Sequence, residues 1–148
     1  MKKNLESYRQ KALTAFQLLR RLEESHNDIV TCISCGRKDT ISRMQGGHYI
    51  SRRCRATELE PDNVWPQCIY CNQFLSGNLI GYRDNLIEKI GLERVERLED
   101  LYRAWQGSDE ALERLSDEDK RLLVKKKKID YIELERIFKK RIKELQNG

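Results

Sequence analysis

Cys32-Ile33-Ser34-Cys35-Gly36 and Cys68-Ile69-Tyr70-Cys71-Asn72 are the two stretches on which the folding of this chain turns. Each is a Cys-x-x-Cys pair, and 32 residues lie between them. Two such pairs in a basic chain of this size read as four thiolates around one tetrahedral zinc, with no open position on the ion. The N-terminus, MKKNLESYRQ, has no apolar stretch of the kind a secretory signal needs. The cysteines are therefore read as metal ligands in a reducing, cytoplasmic compartment rather than as a disulfide framework. The fifth, Cys54, is read as a free, partly buried thiol.

Between and after the pairs stand the residues that suggest chemistry. A Gly-Gly-His (Gly46, Gly47, His48) and Asn63 lie between them, and Asn72 directly follows the last cysteine. The pattern predicts a short strand over 29–33 and a second over 44–51. A Pro-Asp turn at 61–62 follows, then a brief return at Val64 and Trp65 before the second knuckle. Flanking this unit, Leu5, Tyr8, Ala12, Phe16 and Leu19 recur at helical spacing over 4–25. Gly91 is placed to end one helix, and 92–106 reads as another. Ser116 offers an N-cap to a last helix running towards Leu145, with the lysine run 125–128 inside it. The expected fold is α+β: a zinc-stapled ββα core at 29–91, an N-terminal helix at 1–28 and a C-terminal helical extension at 92–148.

Composition bounds the partners. The 148 residues are 36% charged and 39% hydrophobic, with a net charge of +5 and a pI near 9.0. The apolar core per residue is thin, and metal binding adds folding free energy to it. The positive balance favours a polyanion. No apolar run approaches the roughly 20 residues of a membrane span. Residues 93–119 carry ten acidic and four basic side chains, a net of −6, whereas 120–148 carry eleven basic and four acidic, a net of +7. On charge alone, the basic arm serves either a phosphate backbone or a solvated helix face paired with the acidic segment.

Phosphodiester hydrolysis needs an activated water and stabilisation of charge on phosphorus and on the leaving oxygen. His48 is the sole histidine of the core, and imidazole titrates near neutral pH, so it is the candidate general base. Asn63 is the candidate to hold its ring, by accepting from the second nitrogen. Asn72 offers an oxygen to a hard catalytic cation, Mg²⁺ or Mn²⁺. Arg52, Arg53 and Arg83 are candidate phosphate clamps on DNA. Each has a plainer reading. His48 suits a hydrogen-bonded core position, Asn63 a turn, Asn72 a helix N-cap, and the arginines ordinary surface charge. Trp65, Tyr70 and Phe74 suit either base stacking or the packing of a small zinc unit.

The segments CISCG, GGHYISR, PDNVWPQCIYCN and LSGNLIGYRDNLIEKIG, in this order, resemble the NinG (Rap) family of phage recombination nucleases, over roughly residues 32–101. That family is placed in the HNH, or His-Me finger, superfamily. The resemblance implies a treble-clef-like finger acting as a structure-selective endonuclease on branched DNA, such as Holliday junctions and D-loops. His48 falls on the base, Asn63 on the orienting and Asn72 on the metal-ligand position. Gly47 stands where many HNH enzymes carry Asp, Gln45 where some NinG-like sequences carry an acid, and Trp65 where relatives often have His. Two symmetric cuts at a four-way junction imply a homodimer, and phage recombination implies phage or host recombination proteins as partners. The rival readings are a non-catalytic zinc module that binds nucleic acid and a sequence-specific HNH restriction or homing enzyme.

Overall fold

The computed structural model describes residues 2–148 and is α+β, with two small antiparallel hairpins enclosed by helices. The first helix, α1 (Lys2–Glu23), turns Ala12, Leu13, Phe16 and Leu19 inward. This stripe packs on α6 (Lys128–Asn147), with the rings of Phe16 and Phe138 4.8 Å apart. Leu59 and Val64 of the central unit complete the cluster.

Strands β1 (Ile29–Thr31) and β2 (Lys38–Thr40) pair in the register Ile29↔Thr40 to Thr31↔Lys38 and enclose the first knuckle. Gly36 closes that knuckle at φ +80°, a conformation that favours glycine. Strands β3 (Met44–His48) and β4 (Val64–Cys68) pair from Met44↔Cys68 to His48↔Val64. The expected strand over 44–51 thus ends at His48, because Tyr49 and Ile50 bond Asn63 instead of continuing the ladder.

The two glycines before His48 have distinct steric reasons. A Cβ at Gly46 would lie 2.7 Å from Cβ of Gln17, so this glycine lets α1 lie on the hairpin. A Cβ at Gly47 would lie 1.9 Å from Oε1 of the fully buried Gln67. Of the two neighbours such glycines can admit, another backbone or a phosphate, Gly46 admits the backbone of α1 at Gln17, while Gly47 makes room for the Gln67 side chain.

After the second knuckle the chain makes a π-helical turn (Tyr70–Phe74), and α2 (Leu79–Ile90) begins only beyond Gly77. Asn78 is the N-cap residue of α2, but its side chain makes no capping hydrogen bond; it donates to Sγ of Cys71 at 3.4 Å. Gly91, at φ +90°, separates α2 from α3 (Leu92–Trp105). Ile33, Trp65, Tyr82, Leu86, Val95 and Leu98 form the second core cluster.

Two short helices follow, α4 (Asp109–Arg114) and α5 (Asp117–Arg121), each capped by a serine: Ser108 for Ala111 N–H and Ser116 for Asp119 N–H. The single helix expected from Ser116 onward is interrupted. Its lysines 125–127 form a non-helical connection, and α6 starts where Asp130 Oδ2 accepts from Lys127 N–H at 2.6 Å. The acidic segment pairs within its own half of the chain, Glu99 with Arg83, Asp100 with Arg103 and Arg114, and Asp119 with Arg97. No helix among the described residues is long and apolar enough to cross a membrane.

Candidate active site

The two knuckles bring Sγ of Cys32, Cys35, Cys68 and Cys71 within 4.8 Å of one another. Cys35 and Cys68 Sγ stand 3.8 Å apart. Zinc–sulfur bonds of about 2.3 Å in a tetrahedron put neighbouring sulfurs roughly 3.8 Å apart, whereas a disulfide needs about 2.05 Å. The four cysteines therefore fit a metal such as zinc. Cys71 N–H and Asn78 Nδ2 donate to sulfurs of the set, at 3.4 Å each. Burial, together with the neighbouring cysteines and against the hydrogen bond from Asn78, pushes the Cys71 thiol up to about 12, so a cation is what allows four clustered thiolates. Cys54 lies elsewhere, buried with Ala56, Leu101 and Leu115, and is not a ligand.

His48 ends β3. Its Nε2 lies 2.9 Å from the carbonyl oxygen of Glu58. A carbonyl only accepts, so Nε2 carries the proton and Nδ1 keeps its lone pair. Burial, opposed by the Glu58 carbonyl, holds the imidazole below its ordinary pKa of 6.5. The ring is neutral at pH 7 and fit to take a proton.

Asn63 does not hold this ring. Its carboxamide is fully buried and spent on the backbone: Oδ1 accepts from Ile50 N–H at 2.7 Å, and Nδ2 donates to the carbonyls of Ile50 and Thr57 at 3.0 Å each. Its own carbonyl accepts from Tyr49 N–H at 2.9 Å. Asn63 thus clamps the loop leaving His48, and the orienting acceptor expected of it is the Glu58 carbonyl.

Asn72 sits in the π-helical turn rather than at a helix start, so it is no N-cap. Its Nδ2 donates to Oε1 of Gln45 at 2.7 Å, leaving Oδ1 without a protein hydrogen bond among the described residues. One cleft of about 590 Å³ is lined by His48, Asn72, Gln45, Arg52, Ser51 and Arg21, among others. The candidate base and the candidate cation ligand therefore face one space.

A family model described as "Bacteriophage Lambda NinG protein" matches residues 1–130. The chain belongs to the NinG family. The protein ninG of Salmonella phage P22 is 40% identical over 92 residues, covering 61% of this chain and 41% of that protein. Those of Escherichia phage 933W and Escherichia phage lambda are 40% and 38% identical over 92 and 96 residues, each covering 61% of this chain and 42% and 41% of their own lengths. The chain thus matches about two fifths of the length of these curated relatives. No solved structure matches it.

In this NinG-family chain the arginines divide. Arg52 lines the cleft and Arg53 is exposed. Arg83, expected beside them as a clamp, forms a two-pronged pair with Glu99 at 2.9 and 3.1 Å, and Glu99 also accepts from Tyr49 OH at 2.6 Å. Its fork is already matched to a carboxylate. Trp65 is buried, donating to the Asp62 carbonyl at 2.7 Å beneath the guanidinium of Arg20. Tyr70 and Phe74, by contrast, are 58% and 73% exposed, with ring centroids 6.0 Å apart.

The sequence reading missed Glu58 and the contact of Gln45 with Asn72. Nothing in Ala-Thr-Glu-Leu-Glu (56–60) marks Glu58, since a lone acid in a polar loop is ordinarily solvated. Gln45 carried a weak signal, its position one strand residue short of the Gly-Gly-His.

Proposed function

We propose that this chain is an HNH-type, metal-dependent endonuclease that cuts branched DNA during phage recombination. The observation that carries the reading is the shared cleft, lined both by a neutral histidine whose Nδ1 has no hydrogen bond and by an asparagine whose Oδ1 has none among the described residues. His48 Nδ1 takes a proton from water. The resulting hydroxide attacks phosphorus, and the bond to the 3′ oxygen breaks. A divalent cation, Mg²⁺ or Mn²⁺, bound at Asn72 Oδ1 would supply charge stabilisation to the phosphorane and the leaving oxygen. Arg52 and Arg53 hold the strand through its phosphates.

Selectivity for branches is ascribed to Tyr70 and Phe74. They lie on the same five-residue turn as Asn72, and their exposed rings suit bases unstacked at a junction. A turn with its side chains is about 10–12 Å wide, roughly three stacked nucleotide steps of about 3.4 Å. Paired cuts would come from a homodimer.

The test is incubation of a four-way junction, a flap and linear duplex with Mg²⁺. The reading expects the branched substrates to be cut, with His48→Ala and Asn72→Ala inactive but zinc-loaded. Uncut strands that still shift in a gel would mean a binding module instead. Preference for a particular linear sequence would mean a restriction or homing type of enzyme.

A further inference from the structure

Glu58 is fully buried and stands at the centre of a charged cluster. Oε2 accepts from Arg9 Nε of α1 at 2.7 Å, and Oε1 accepts from Tyr131 OH of α6 at 2.5 Å. Lys126 Nζ lies 3.6 Å from Oε1, and Arg55 Nη1 lies 3.8 Å from Oε2. Two of these cations also grip the loop backbone: Arg9 Nη2 donates to the Arg52 carbonyl at 2.7 Å, and Lys126 Nζ to the Arg55 carbonyl at 3.0 Å. The loop from Arg52 to Glu58 has no strand partner; this carboxylate and its cations hold it together with Asn63 on the Thr57 carbonyl and the burial of Cys54 and Ala56.

The carbonyl of this same residue receives the Nε2 proton of His48. A carboxylate that only fastened helices together would need no link to the ring. Here the side chain fixes the backbone, and the backbone fixes the ring. We infer that Glu58 is a positioning residue, whose buried carboxylate aims its own carbonyl at His48 and so holds the imidazole as the Nε2–H tautomer with Nδ1 open to the cleft. The catalytic role of that ring rests on the nuclease reading above, but the tautomer itself can be measured without any cleavage.

The chain has two histidines, so a two-bond ¹H–¹⁵N spectrum of histidine-labelled protein is simple to assign, with His48→Ala removing one set of signals. The wild type is expected to show His48 as Nε2–H. Glu58→Gln removes the charge that holds Arg9 and Lys126. It is expected to retain zinc and fold, to show His48 exchanging between tautomers, and to lose roughly tenfold or more in kcat on a junction with KM unchanged. Tyr131→Phe removes a single hydrogen bond at a residue that does not line the cleft and is expected to show the same signature more weakly. A folded Glu58→Gln protein with an undisturbed Nε2–H pattern and wild-type kcat overturns the proposal. If Glu58→Gln does not fold, an unchanged ring signal and kcat in Tyr131→Phe overturn it. Uncut junctions with the wild type would sink the nuclease reading, and cleavage retained by His48→Ala would remove His48 as its base; in either case the tautomer pattern would still judge the role of Glu58.

Discussion

Asn72 Nδ2 donates to Gln45 Oε1 across 2.7 Å, so the residue after the last cysteine meets the residue three before the histidine at one wall of the cleft. A carboxylate at position 45 would keep this hydrogen bond and add negative charge beside Asn72 Oδ1. Gln45→Glu should therefore lower the Mg²⁺ concentration for half-maximal cleavage, by roughly fivefold or more, since charge count tunes hard-cation affinity. Asn72→Ala should abolish cleavage with the zinc content unchanged. A metal titration of cleavage rate checks both.

The sulfur cluster makes a second prediction. Structural zinc contributes about 10–16 kcal/mol in small peptides, comparable with the roughly 5–15 kcal/mol that holds a whole domain folded. Strong chelation, or Cys68→Ser, should thus unfold the central unit. Cys54→Ala, outside the cluster, should keep one zinc per chain and cost only the small packing loss of a thiol. Metal analysis with thermal melts distinguishes the two variants.

If His48 is the base of the proposed cleavage, its depressed pKa sets the acid limb of that activity. The base must be neutral, so cleavage should hold from above pH 6.5 to somewhat below it and then fall as the ring protonates. Stability follows the same sign. An unfolded chain takes up the His48 proton near pH 6.5, earlier than the folded one, so stability is lost as pH falls from there through the folded pKa. A pH–rate profile and melts between pH 5 and 8 test this, and His48→Ala should flatten that limb of the stability curve.

Stacking on aromatic side chains contributes about 1–3 kcal/mol per base. Tyr70→Ala and Phe74→Ala should therefore each lower affinity for a junction by about five- to 150-fold, while binding of linear duplex changes little. Competition binding at constant salt gives the ratio. An equal loss on both substrates would remove the aromatic pair from branch recognition.

The division of the arginines can be read from salt dependence. Removing one phosphate-binding cation should reduce the slope of log affinity against log salt by about 0.9. Arg52→Ala and Arg53→Ala should each do so. Arg83→Ala should leave the slope intact and cost at most about 1 kcal/mol of stability, because its partially exposed pair with Glu99 is screened by solvent.

How far the sequence carried the reading depended on the range of the interaction. The metal ligands were legible because Cys-x-x-Cys spacing is a local geometric requirement. So were α1, with its apolar residues at helical spacing, and the turn at Gly91, where φ is positive. The role of Asn63 was not legible: a carboxamide after Pro-Asp looks the same whether it reaches a ring or a backbone. Nor was Glu58, whose partners Arg9 and Tyr131 lie 49 and 73 residues away. The break before α6 was hidden because the lysines suit a helix by propensity, and only the bond of Asp130 to Lys127 N–H reveals the restart. Arg83 looked free because Glu99, its partner, sits on a different helix.

The packing of Phe16 on Phe138 and the reach of Tyr131 to Glu58 have a consequence for synthesis. While the chain emerges from a ribosome, all four cysteines and the histidine are in place long before α6 exists. A nascent protein could take up its zinc early, yet the loop that steadies the histidine is fastened only when α6 docks. Maturation would be a two-step affair, in which the scaffold sets first and the placing of the imidazole follows.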